Sequence, residues 1–156
     1  MATEIERKFL LKNSDWRKSA DNGTAYSQGY LVGSKSSSVR IRTQGERAFL
    51  NIKSATIDVT RQEFEYEIPF SEATEMLETL CEKPLINKTR YHIKNGNHVW
   101  EIDVFSGDND GLIVAEIELN DKDESFDKPA WLGDEVSSDE RYYNVNLGKH
   151  PFKDWN

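Results

Sequence analysis

The sequence of 156 residues holds a single cysteine, four prolines, three histidines and no long apolar run. One cysteine, Cys81, excludes an internal disulfide and suits a reducing compartment. The scattered histidines form no cluster with it, which leaves nothing for a Cys/His zinc site. Without an apolar stretch of about 20 residues there is no candidate transmembrane helix. No charged-then-apolar signal segment opens the chain, so a cytoplasmic protein is expected. Positive charge is scarce too: 20 Lys and Arg stand against 28 Asp and Glu, a net charge of -8. Such a chain lacks the cation excess by which general nucleic-acid binders and proteins of anionic membranes gain affinity. A small polyanion is still an admissible partner where cations gather locally, because potential follows arrangement rather than sum.

Aromatic side chains are plentiful, with four Trp, six Tyr and seven Phe, enough to build a core in a chain of this length. Residues 1–156 read as one domain. Gly33 with the serine-rich stretch Ser34 to Ser38, the hairpin signal Asn95-Gly96-Asn97, and Gly107 to Gly111 read as connections between extended segments. Lys35, inside the serine-rich stretch, is expected to take no part in function.

Period-2 alternation dominates the rest. It runs through Glu4–Leu11, Tyr26–Val32, Val39–Thr43, Ala48–Lys53, Glu63–Phe70, Lys88–Ile93, Val99–Phe105 and Leu112–Leu119. Eight such strands predict a mainly β fold, a barrel or sandwich, with a few helices. A helix is predicted from an N-cap at Ser71, with Ala73, Met76, Leu77, Leu80 and Cys81 as its apolar stripe and Pro84 beyond its end. Short helices are also predicted near Ser14 to Ala20 and around Pro129 to Leu132, the latter ending at Gly133.

Alternate residues of a strand share a face. By that rule Glu4, Glu6 and Lys8 lie together, as do Arg40 with Arg42, Asn51 with Lys53, and Glu63 with Glu65 and Glu67. Lys88 with Arg90, Glu101 with Asp103, and Glu116 with Glu118 follow the same pattern. One account is a sheet with a wet polar face and a dry apolar one. Glu is depleted in strands, however, and like charges cluster here where a surface built only for stability would mix them. A site that recognises an anion together with a cation would segregate them. Both accounts stand on the residues alone.

Glu4-Ile5-Glu6-Arg7-Lys8 is an intact Glu-x-Glu-x-Lys. It is followed in order by Val39-Arg40-Ile41-Arg42, Asn51-Ile52-Lys53, Glu63-Phe64-Glu65-Tyr66-Glu67, Lys88-Thr89-Arg90, Glu101-Ile102-Asp103 and Glu116-Ile117-Glu118. This ordered set resembles the CYTH family, the triphosphate tunnel metalloenzymes. The stretch from Trp131-Leu132-Gly133 to Arg141-Tyr142-Tyr143-Asn144 resembles its short bacterial members.

The resemblance implies a closed eight-stranded antiparallel barrel, its charged faces turned inward to form a tunnel and its apolar faces covered by helices. It implies that Lys8, Arg40, Arg42, Lys53, Lys88 and Arg90 hold a triphosphate. Glu4, Glu6, Glu116 and Glu118 would hold Mg²⁺ or Mn²⁺, with Glu63, Glu65 and Asp103 next, and Glu4, Glu6 and Lys8 would form the catalytic motif. A Glu would orient or deprotonate the attacking water; Glu67 and Glu101 are left outside the site. Inorganic tripolyphosphate is the favoured substrate. Class IV adenylate cyclase or thiamine triphosphatase activity uses the same cradle, and a polyphosphate- or nucleotide-binding module without turnover is the alternative of another class. Trp131, Tyr142 and Tyr143 are expected to pack, His92 to face solvent, and His98 and His150 carry no signal.

Overall fold

A computed structural model describes residues 3–34, 36–55 and 59–155; Lys35 lies outside them. Nine antiparallel strands are present: β1 (Thr3–Leu11), β2 (Thr24–Gly33), β3 (Ser37–Gln44), β4 (Arg47–Ser54), β5 (Thr60–Ile68), β6 (Ile86–Asn95), β7 (His98–Ser106), β8 (Ile113–Leu119) and β9 (Leu132–Glu135). Helices α1 (Phe70–Thr79) and α2 (Asn144–Lys149) accompany them, with single 3₁₀ turns such as Asp15–Ser19. The strand order β5-β4-β3-β2-β6-β7-β8-β1 closes on itself where β1 meets β5, through Thr3↔Gln62, Glu4↔Arg61 and Ile5↔Thr60. Further along the same edge of β1, β9 takes over through Phe9↔Glu135 and Leu11↔Leu132. The result is a closed eight-stranded barrel with one added strand.

Burial decides between the two accounts of the charged faces. Lys88 and Asp103 are 4% and 0% exposed, whereas Phe64 and Tyr66 on β5 are 43% and 57% exposed. The charges point in and the apolar residues point out. Outside, Phe9, Trp100, Ile102 and Ile117 are roofed by Trp16 and Trp131. Helix α1 lays Ala73 and Leu77 over Ile41 and Ala48 of β3 and β4. At one end the inner faces turn apolar: Tyr30, Ile86, Phe105 and Val114 meet Tyr142 and the fully buried Leu147. The chain after β9 therefore closes part of that end. Asn109 fixes it there, its Oδ1 accepting from the Phe152 N–H at 2.8 Å.

All eight predicted strands form, and the predicted turn at Asn95-Gly96-Asn97 does as well, with Gly96 in the left-handed region at φ +64°. Four local expectations need correction. No helix forms around Pro129 to Leu132; β9 begins there, because the edge of β1 beyond β5 offers free backbone groups and the Trp131 carbonyl accepts from Lys12 N. Helix α1 is capped by Pro69 and not by Ser71, so the strand before it stops at Ile68 and Phe70 is already helical. Leu80 leaves the stripe: it is the C-cap residue and is exposed, while Cys81 beyond it is buried. Ser37 and Ser38 belong to β3, which shortens the serine loop.

Candidate functional site

The inner faces of the strands bring the sequence-selected charges into one interior. On the β6–β7 side, Lys88 Nζ donates to Asp103 Oδ2 at 2.7 Å, and Arg90 donates to both Asp103 oxygens at 2.7 and 2.8 Å. Arg90 also donates to Glu101 at 3.1 Å and lies 3.7 Å from Glu116. Burial would raise the Asp103 carboxyl, but the two cations outweigh it and hold the group well below the usual range. Burial moves Lys88 the other way, down to about 8.

On the β3–β5 side, Lys53 lies 2.9 Å from Glu63 and 3.7 Å from Glu4. Glu65 accepts from Asn51 at 2.9 Å and from Arg42 at 3.4 Å, and Arg40 donates to Asn51 at 3.3 Å. Burial lowers Lys53 to about 8, with Arg40 and Arg61 adding to the push. Glu4 is raised to about 7 by burial and by its hydrogen bond to Glu63, so near neutrality this carboxyl shares a proton with its neighbour.

The β1–β8 side is different. Glu6 stands opposite Glu118 and Lys8 opposite Glu116 in the strand register. Glu116 is raised to about 7, first by burial and then by the charge of Glu6, to which it is hydrogen-bonded. Its Oε1 has no hydrogen-bond partner among the described residues. Lys8 Nζ donates to the Tyr142 carbonyl at 3.0 Å, tying this wall to the C-terminal segment. Glu4, Glu6, Lys8 and Arg61 line a cavity of about 680 Å³ whose rim includes Ser38, Ser54 and Tyr143.

Glu118 is exposed and lines a second opening with Glu101 and His98, apart from the Glu4 and Glu6 cavity. Glu67 pairs with Arg47 at 2.8 Å, both side chains being exposed. His92 is part-exposed between Asp21 and Glu101. Trp131 and Tyr142 pack, as expected of them, whereas Tyr143 borders the cavity.

The sequence reading missed Arg61, 3.6 Å from Glu4. Its parity with Glu63 would have found it had the strand been started three residues earlier. The uncharged inner residues Tyr26, Gln28 and Asn51 carried no comparable signal.

The donors fit a hard divalent cation. They are carboxylate oxygens, Glu4 and Glu116 are each hydrogen-bonded to another carboxyl, and the buried Glu116 Oε1 has no hydrogen bond of its own among the described residues. Among the described residues no three His, Cys, Asp or Glu side chains come together as a finished cage. A cation that takes one or two carboxylates and completes its shell with phosphate oxygens and water needs no such cage.

The CYTH domain model matches residues 2–146. The chain belongs to the CYTH family. An inorganic triphosphatase of Acetivibrio thermocellus is 46% identical to this CYTH protein over 155 residues, 99% of each chain. One of Nitrosomonas europaea is 36% identical over 149 residues, 93% of this chain and 96% of its own. The crystal structure of the inorganic triphosphatase NE1496 superposes with a TM-score of 0.66 at 35% identity, covering 95% of both chains.

Proposed function

We propose that this CYTH protein is an inorganic triphosphatase, hydrolysing the terminal phosphoanhydride of tripolyphosphate to orthophosphate and pyrophosphate. The observation that carries the reading is a closed barrel whose inner faces bear Lys8, Arg40, Arg42, Lys53, Lys88 and Arg90 together with the hydrogen-bonded Glu6–Glu116 carboxyl pair. Triphosphate supplies anionic oxygens in a row, and guanidinium and ammonium groups match them by fork and point charge.

CYTH triphosphatases are metal-dependent as a class. Here Glu4, Glu6 and Glu116 would hold Mg²⁺ or Mn²⁺, Glu63, Glu65 and Glu118 would bias the field around it, and Asp103 is committed to Lys88 and Arg90. When bound, the metal supplies Lewis-acid polarisation of the phosphoryl oxygens and offsets the carboxylates. Phosphoryl transfer asks the protein mainly for positioning and charge stabilisation. Arg40, Arg42 and Lys53 hold non-bridging oxygens, and Lys88 and Arg90 stabilise the charge that develops on the leaving pyrophosphate. A carboxylate of this wall that the metal leaves uncoordinated would take the proton of the attacking water. The lone buried Cys81 suits a reducing, cytoplasmic setting. No helix among the described residues is long and apolar enough to cross a membrane.

The test is phosphate release from tripolyphosphate, pyrophosphate, ATP and thiamine triphosphate, each with Mg²⁺, with Mn²⁺ and in excess chelator. Tripolyphosphate should be cleaved fastest and only with metal; pyrophosphate, too short to span the basic pairs, should be poor. Undiminished activity in chelator overturns the mechanism, and a preference for an organic triphosphate overturns the substrate.

A further inference from the structure

Gln28 lies on β2 and is fully buried, yet neither Nε2 nor Oε1 has a hydrogen-bond partner among the described residues. The direction of its side chain follows from its neighbours. A Cβ on Gly29 would fall 2.8 Å from the Cβ of Cys81 and 2.7 Å from Leu85, so residue 29 faces the outer layer behind α1 and residue 28 faces the interior. Its strand partner on β3 is Arg42. On the same face of β2, the Tyr26 ring lies 5.0 Å from the Arg90 guanidinium carbon and 5.6 Å from that of Arg42. Tyr30 stands opposite Arg40. Gln28 is thus set among the cations assigned to the substrate, without sharing their charge.

Two further donors beside it are orphaned in the same way, Arg40 Nε and Arg42 Nε. A buried amide that makes no hydrogen bond is a net cost to the fold, and an apolar side chain of equal size would not incur it. Three donor nitrogens without hydrogen bonds among the described residues, on the inner face of two adjacent strands, call for an acceptor-rich partner. The carboxylates nearby do not fill that need, since Glu65 is drawn to Asn51 and to the far end of Arg42.

We propose that Gln28 is a phosphate-binding residue of this site: its Nε2 donates to a phosphoryl oxygen of the substrate, and its Oε1 accepts from an arginine Nε that is then fixed toward the phosphate. This rests on the triphosphatase reading above. Because Gln28 is covered in the free protein, the contact forms as the substrate draws Arg42 away from Glu65. The amide adds a donor without adding charge, so it lengthens the cradle without trapping the anionic products.

The experiment compares the parent with Gln28→Met, which keeps length and removes both polar atoms, and Gln28→Glu, which sets a carboxylate against the substrate. Thermal melts without substrate and KM for tripolyphosphate are measured for each. Gln28→Met should melt at the parent's temperature or above it while its KM rises about tenfold, the cost of a hydrogen bond to a charged group. Gln28→Glu should raise KM further. KM does not depend on the folded fraction, so partial unfolding of a variant does not blur the result. A Gln28→Met variant with KM within about twofold of the parent overturns the inference, and a lower melting temperature with that KM makes Gln28 purely structural. A parent inactive on tripolyphosphate overturns the function itself, which is a different result.

Discussion

The two sides of the barrel that meet at β8 carry the same kinds of charged side chain in opposite states. Toward β7 and β6, Asp103 has no exposure, and both its oxygens accept from Lys88 or Arg90 at 2.7–2.8 Å. Toward β1, Glu116 is nearly as buried, yet one oxygen has no hydrogen bond among the described residues, its cation Arg90 standing 3.7 Å away, and its carboxyl is hydrogen-bonded to another carboxyl, that of Glu6. Burying an ion costs several kcal/mol unless good partners offset it. The first wall has met that condition within the fold, and the second has not. The difference separates a carboxylate that holds two cradle cations in place, Asp103, from one that awaits a cation, Glu116.

Exchanging each carboxylate for its amide tests the separation most forcefully. Asp103→Asn takes the carboxylate from the buried Lys88 and leaves Arg90 only Glu101 and Glu116 among the described residues, and should cost about 3–5 kcal/mol of stability in urea melts. Glu116→Gln removes a repulsion and should leave the metal-free protein as stable as the parent or more so, while lowering turnover about 10²-fold or more. If Asp103→Asn is tolerated and Glu116→Gln unfolds, the two walls have been assigned the wrong way round. A smaller effect should follow at the basic face. Arg42→Ala should cost about 2–5 kcal/mol of transition-state stabilisation, read as the ratio of kcat/KM values.

Much of this contrast could be read in the sequence and part could not. The eight strands were legible because polar and apolar residues alternate with period 2 over five or more residues, as in Val39 to Thr43. Which face is inside was not, since parity is the same for a wet face and for a tunnel wall; the resemblance implied an inward face and burial decided it. Leu132-Gly133-Asp134-Glu135 carries no alternation, and its pairing comes from the edge that β1 leaves open beyond β5. Thr60-Arg61-Gln62 has no apolar residue to mark it as strand, which hid Arg61. Glu63 and Asp103 looked like Glu116 in the sequence, and only the partners within 3 Å distinguish a satisfied carboxylate from an unsatisfied one. The closure of one barrel end by Tyr142 and Leu147 depends on contacts between segments more than 100 residues apart, such as Lys8 with Tyr142.

The smallest expected effect sharpens the comparison from outside. Arg47 pairs with Glu67 at 2.8 Å in full view of solvent. Arg47→Ala should change neither activity nor melting temperature measurably, because exposed pairs contribute little. Equal losses in Arg42→Ala and Arg47→Ala would mean that the inner arginine is no better placed than the outer one.

The proton count on metal binding addresses the unsatisfied wall most directly. Glu4 and Glu116 are raised from 4.5 to about 7 by burial and by neighbouring carboxyls, so the folded protein keeps protons there that the unfolded chain has already lost. On their account, metal-free stability falls as pH rises from about 4.5 to about 7. A cation must displace those protons, so its affinity rises with pH over the same range. Calorimetric titration of the full chain with Mn²⁺ at pH 6, in two buffers of different ionisation enthalpy, should show proton release, and the release should fade by pH 8. Binding with no proton release at pH 6 and the same affinity at both pH values, or no binding at all, would contradict the assignment of these carboxyls to a metal.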